Sequence, residues 1–265
     1  MTGTEDGWEV ARAAAGAAGE ILGERALATY AIGSLAHGGF EPAVSDVDVA
    51  LLTSERLGPS ESDRIAASTE ALLESELSRR LSLFHAPRTG FESPPPGSRF
   101  PTLDRLDLLR HGALISGQDL RAELPAPTRV EVIAAAVRFG LQQLDRRTPS
   151  LMIGDLPPTA SLRETTKLVL LPVRLLFVAA TGKVAGNDEA VSYYRETAKE
   201  DGLQVVSQAL AWRRVGSLPD GHVVAELLNA QLLPLRVQVL KLLISIPDIP
   251  ERCALESLIE NFERA

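Results

Sequence analysis

Gly33-Ser34 is followed, after eleven residues, by Asp46-Val47-Asp48-Val49. Asp46 and Asp48 are two apart, so on an extended strand both carboxylates point to one face. Two carboxylates on one face repel unless a cation sits between them. A hard divalent ion fits: magnesium takes oxygen ligands in near-octahedral geometry and leaves positions for water and substrate phosphates. Asp-X-Asp alone also describes a solvated strand start. The apolar run Ala28-Thr29-Tyr30-Ala31-Ile32, ended by Gly33-Ser34, shifts the reading. Gly33 lets the backbone come close to a phosphate, and Ser34 can donate to a phosphate oxygen.

The elements that must position these residues can be read from the same chain. Ala28 to Ile32 reads as a strand running into a turn, and Val47 to Leu52 as a second strand. Leu81 to His85 and Ala113 to Ser116 are further strand candidates. An Ala/Glu-rich helix spans Trp8 to Leu27, loosened by Gly16 and Gly19. A second helix spans Ser60 to Arg80, with Ser60 as its cap, Glu61 and Asp63 in its first turn, and Arg79 and Arg80 in its last. Thr102 to His111 reads as a short helix. Between these lies Ala86 to Pro101, a Pro/Gly-rich loop of a length typical of lids, binding loops and mobile segments. Beyond Pro125 the pattern turns helical, at about 129–146, 161–181, 187–200, 203–215, 222–246 and 250–264. The chain therefore divides into an α/β half, 1–128, and an all-helical half, 129–265.

Composition narrows the function classes. Apolar residues are 45% and charged residues 23%, which excludes a wholly disordered chain. Acidic residues outnumber basic ones, 35 to 27. A net charge of −8 argues against duplex nucleic acid as a partner and suits a cationic ligand. The lone cysteine, Cys253, leaves no internal disulfide and reads as a small buried residue of a C-terminal helix. Met1 to Val10 lacks the basic-then-apolar pattern of a signal peptide. Leu168 to Ala180, the most apolar run, is broken by Pro172 and Arg174 and is too short to span a membrane. The expectation is a cytoplasmic protein without a membrane partner.

Apolar-Gly-Ser, a short spacer, then Asp-apolar-Asp-apolar resembles the signature of the polymerase-β-like nucleotidyltransferase superfamily. Arg174-Leu175-Leu176-Phe177-Val178-Ala179-Ala180-Thr181-Gly182-Lys183-Val184-Ala185 is similar to the helix–Thr-Gly–helix segment of streptomycin/spectinomycin-type aminoglycoside adenylyltransferases. The resemblance implies an α+β protein: a nucleotidyltransferase domain with a small mixed sheet, then a helical domain. It implies a nucleoside triphosphate, ATP first, bound with two magnesium ions held by Asp46 and Asp48. A hydroxyl of a small acceptor in the interdomain cleft would attack the α-phosphate and release pyrophosphate. Gly33 and Ser34 would cradle the β- and γ-phosphates. Arg174 matches a basic position that reaches the nucleotide phosphates in such enzymes, although it also reads as a structural arginine in an apolar helix. Lys183 stands near a helix end, where a cation is favoured in any case.

The chain departs from the family pattern in two places. The family's third carboxylate, on a later strand, acts as metal ligand or as base. The matching strand reads Arg80-Leu81-Ser82-Leu83-Phe84-His85, with Ser82 where the acid is expected, and a serine is no equivalent base. His85, Glu92, Asp104 and Asp107 are nearby replacements. Asp104 and Asp107 share a helix face, where capping and surface solvation explain them more simply. Asn187 stands where related enzymes tend to carry a lysine. For the acceptor, Glu164 and Asp155 are candidates, although acids at a helix start favour the dipole anyway. Trp8 and Trp212 read as packing residues, and Tyr193 and Tyr194 as lining either the core or the cleft. Two other readings keep the fold: a nucleotide-binding regulatory module without turnover, and transfer to a protein side chain.

Overall fold

The apolar runs of the first half extend and pair into one sheet. In the computed structural model, which describes residues 3–58, 60–95, 97–152, 161–198 and 202–264 (144–152 by backbone alone), the strands are β1 (Ala26–Ile32), β2 (Val47–Thr53), β3 (Leu81–Pro87) and β4 (Ala113–Gly117). Their order is β3-β2-β1-β4. β1 is antiparallel to both β2 and β4, and β2 is parallel to β3. A parallel pair needs a crossover, and α3 (Glu61–Leu73) supplies it. The sheet and its helices make up one unit, Met1–Pro127, and the helical half, Thr128–Ala265, makes up a second.

Period-two alternation sorts the strands' residues onto two faces. Val47, Val49, Leu51 and Leu83 pack with Val10, Ala14 and Ala18 of α1 (Gly3–Leu22) and with Ile65 of α3. Tyr30, Ala50, Leu52 and Phe84 pack with Leu108 of α4 (Thr102–His111) and with Phe91 and Phe100.

Several expectations shift. The first helix stops at Leu22, because Ala26 already pairs in the sheet, and it runs unbroken through Gly16 and Gly19. α3 stops at Leu73, where Glu74 takes a left-handed φ of 47°, and Ser78–Arg80 form a separate 3-10 turn. Ser60 makes no side-chain cap. The Glu61 carboxylate takes over part of that role, accepting the Gly58 N–H at 2.5 Å and pairing with Arg25. The hydrogen bond from Arg25, then that from Gly58, holds Glu61 below the usual carboxylate range.

The long loop is anchored rather than loose. Phe91 is fully buried and meets Phe100 edge-on at 5.4 Å. Arg105 donates to the carbonyls of Phe91 at 2.8 Å and Glu92 at 2.6 Å. His85 and Arg99 exchange backbone hydrogen bonds of 2.9 and 3.1 Å.

The second unit contains α5 (Arg129–Met152), α6 (Leu162–Thr181), α7 (Asn187–Thr197), α8 (Leu203–Val215), α9 (Gly221–Ile244) and α10 (Arg252–Glu263). α6 is central and packs against α5, α7, α8 and α9. It starts in a capping box between Ser161 and Glu164 and stops at Gly182, whose φ is 70°. Arg129 donates to the terminal carbonyls of Thr181 at 2.7 Å and Ala180 at 2.9 Å.

α9, not α6, is the helix among the described residues that is long and apolar enough to cross a membrane. Its stripe Val224, Leu228, Leu232, Leu235, Val239, Leu243 is buried, and the helix packs on α6, α8 and α10. Trp212 and Tyr194 are core residues, and Tyr193 meets Phe177 edge-on at 5.6 Å. Cys253 is exposed, contrary to expectation, because α10 buries Leu255, Ile259 and Phe262 and residue 253 lies off that stripe.

His85 is buried on β3, on the face of Leu83. Burial first, and the Arg99 cation second, push its imidazole below the ordinary histidine range. The unfolded chain therefore binds a proton near pH 6.5 that the folded chain refuses. Its contribution to stability is present above that pH and is lost as pH falls through the lower, folded value. Urea midpoints should decline on acidification from neutral pH, and His85→Gln should flatten that slope. An identical slope in the variant would show that His85 does not carry the effect.

Candidate functional site

The site is set by where β1 stops. Ile32, its last residue, pairs with Asp48 across the antiparallel ladder. Gly33 follows at φ 63°, a conformation that side chains rarely adopt, and a Cβ built there would overlap Asp48 Oδ2. A glycine is thus required twice, by the backbone and by the neighbouring carboxylate. Gly33 and Ser34 then open α2 (Gly33–His37), a single turn closed by Gly38 in the left-handed region.

Asp46 precedes β2 and, like Asp48, is half-buried. The turn before it is closed by N–H bonds from Val44 at 3.0 Å and Ser45 at 2.8 Å to the Glu41 carbonyl. The Glu41 N–H in turn donates to Ser45 Oγ at 3.0 Å. Arg80 donates to the Ser45 carbonyl at 2.9 Å and also to the Pro42 carbonyl. This arginine reads in the sequence as the basic end of a helix. The 3-10 turn at Ser78–Arg80 instead delivers it to the loop that carries Asp46.

Ser82 stands directly opposite Asp48 in the parallel ladder, so no carboxyl faces Asp48 from β3 there. His85, three residues on, projects from the opposite face of the sheet and cannot substitute. Glu92 is exposed, and Asp104 is half-buried in the first turn of α4.

Asp107 differs from the surface-solvated acid expected on that helix. It is 7% exposed, and its Oδ2 accepts the Gly33 N–H at 2.7 Å. Its Oδ1 lies 2.5 Å from His37 Nε2. The Gly33 amide therefore points at Asp107. The His111 ring, one helical turn after Asp107, lies 4.4 Å from that of His37. Ligand atoms of His37, Asp107 and His111 all fall within 4.8 Å of one another, and among the described residues Asp46 and Asp48 join no such trio. Sequence reading passed over His37 altogether and placed Arg80 only at a helix end. The only hint of His37 was its place four residues after Gly33, on the turn that the motif opens.

The second unit's candidates lie on its surface. Arg174 is exposed on α6 and is not the buried arginine expected in an apolar helix. Lys183 is exposed just past Gly182, with its N–H donating to Thr181 Oγ1 at 3.1 Å. The Glu164 carboxylate accepts the Ser161 N–H at 3.2 Å and the Ser161 hydroxyl at 3.0 Å, so helix capping accounts for it. Asn187 is the first residue of α7. Asp155 lies outside the described residues.

The donor set of Asp46 and Asp48 is all carboxylate oxygen, which suits a hard cation. The glycine hollow beside Asp48 is space that a side chain would fill. No protein-family model matches the chain, and no curated protein matches it in sequence. Its fold is similar to that of spectinomycin adenyltransferase AAD(9) from Enterococcus faecialis, solved with ATP and spectinomycin. The TM-score is 0.63 at 15% identity, over 85% of this chain and 98% of that one. The likeness is one of fold: a small mixed sheet with helices, followed by helices.

Replacing Gly33 with alanine should cost about 1–3 kcal/mol of stability, from backbone strain and from displacing the Asp48 carboxylate. Urea unfolding of the two proteins measures it. Equal stability would mean that the turn at residue 33 relaxes freely.

Proposed function

We propose that the protein is a magnesium-dependent nucleotidyltransferase that moves a nucleoside monophosphate, AMP from ATP, to a hydroxyl of a small cationic acceptor of the aminoglycoside kind, with pyrophosphate leaving. The observation that carries this reading is the Gly33 turn packed on the Asp48 carboxylate, with Asp46 two residues away, in a fold shared with an adenylyltransferase. Asp46 and Asp48 would hold the ions. Bound magnesium would neutralise the triphosphate and stabilise the attacking and leaving oxygens.

The chain's own residues do the positioning. Arg80 steadies the loop of Asp46, and the left-handed Gly33 leaves room beside Asp48 while Ser34 offers a hydroxyl. Arg174 and Lys183 supply cations for the nucleotide phosphates in this reading, and the net charge of −8 favours a cationic acceptor. ATP as donor is consistent with activity in the cytoplasm.

Calorimetric titration with ATP, with magnesium and then with EDTA, tests the reading. Binding should require magnesium and vanish in Asp48→Asn, while circular dichroism stays that of the parent. ATP binding untouched by EDTA and by the substitution would sink the assignment. Pyrophosphate release with spectinomycin and streptomycin then tests the acceptor class, and Arg174→Ala and Lys183→Ala should weaken ATP binding.

Ser82 opposite Asp48 favours a second reading, a nucleotide-binding regulatory module. Magnesium-dependent ATP binding without pyrophosphate release on any hydroxylated acceptor or protein side chain would decide for it.

A further inference from the structure

We propose that His37, Asp107 and His111 form a second metal site, for a borderline divalent ion of the zinc class, distinct from the Asp46/Asp48 pair. Their ligand atoms lie within 4.8 Å of one another. Asp107 and His111 are four apart on α4 and share a face, while His37 arrives from the end of α2. Two imidazoles and one carboxylate are the donors that zinc-class ions prefer, and three protein ligands leave a fourth position open. Magnesium prefers all-oxygen surroundings, so ligand chemistry would sort the two ions between the two sites.

The His37–Asp107 pair needs little change to accept the ion, and His111 must close from within 4.8 Å. Bonds of ~2.0–2.1 Å in a tetrahedron put ligand atoms ~3.3 Å apart. His37 Nε2 and Asp107 Oδ1, at 2.5 Å, would part by less than ~1 Å, within a side-chain rotation. The buried carboxylate already holds the Gly33 N–H on one oxygen and the His37 ring on the other, and the ion would take its place between carboxylate and ring. His111 is exposed, which gives the ion a path from solvent.

The ion would tie α2 to α4. Its carboxylate ligand already accepts the Gly33 N–H through the other oxygen, so loading this site would stiffen the Gly33-Ser34 turn.

The test uses the full chain without an affinity tag, stripped with EDTA and dialysed. Zinc chloride is titrated in competition with a chromophoric chelator, and cobalt(II) serves as a reporter of coordination. The expected result is one zinc per chain at micromolar or tighter affinity, not displaced by excess magnesium. Cobalt should show the intense visible absorption of a four-coordinate site. His111→Ala removes an exposed side chain and so keeps the fold, and it should weaken zinc by ~10-fold or more, as should His37→Gln. His222→Gln, an exposed histidine in the first turn of α9, and Asp46→Asn should leave zinc affinity unchanged, which separates this site from the magnesium reading. No stoichiometric zinc, or equal affinity in the parent and His111→Ala, would overturn the proposal.

Discussion

The antiparallel register between β1 and β2 is the constraint on which the site depends. Pairing Ile32 with Asp48 brings the end of one strand against a carboxylate of the next, and only a glycine can follow. A slip of one residue would turn Asp48 to the α1/α3 face, where apolar side chains would surround an unpaired charge. The same register sets Ala50 and Leu52 against the α4 face, so burial of the core and placement of the carboxylate enforce each other. The side chains that support the site come from elsewhere: Arg80 from the 3-10 turn before β3 and Asp107 from α4.

Ser82 and Asp107 together show where negative charge is held around the end of β1. The ladder position opposite Asp48 is neutral, which lowers repulsion at the sheet. A buried carboxylate appears on α4 instead, satisfied by a backbone N–H and an imidazole. Such a group is stable only while its partners are held in place, so α4 and the anchored loop before it have a structural part in the site. Arg105, two residues before Asp107, links that loop to the helix through two carbonyls.

The helical unit keeps its form by other means. α6 is defined at one end by the Ser161–Glu164 capping box and at the other by Gly182 with Arg129 on the last carbonyls. Helix ends otherwise leave carbonyls and amides without partners, so these contacts fix its length. The Thr-Gly segment that resembles the adenylyltransferases is thus, physically, a helix stop.

The sequence by itself determined whatever rests on local pattern. The strand from Ala28 into Gly33, the α4 span and the change from mixed to all-helical structure follow from periodicity, glycine and capping chemistry. Helix ends at Leu22 and Leu73 did not, because pairing in the sheet and a left-handed Glu74 overrode propensity. Nor did Cys253, whose exposure depends on which stripe of α10 faces α9. The environment of the site was decided only by the tertiary structure. Gly33 and Asp107 are 74 residues apart and Arg80 and Ser45 are 35 apart, and no local rule ties such residues together. Asp107 read as a solvated helix acid because it shares a helix face with Asp104, where capping and surface solvation sufficed. Its burial came from α4 packing on the sheet beside the end of β1, a consequence of the whole core's closure rather than of any segment of the chain.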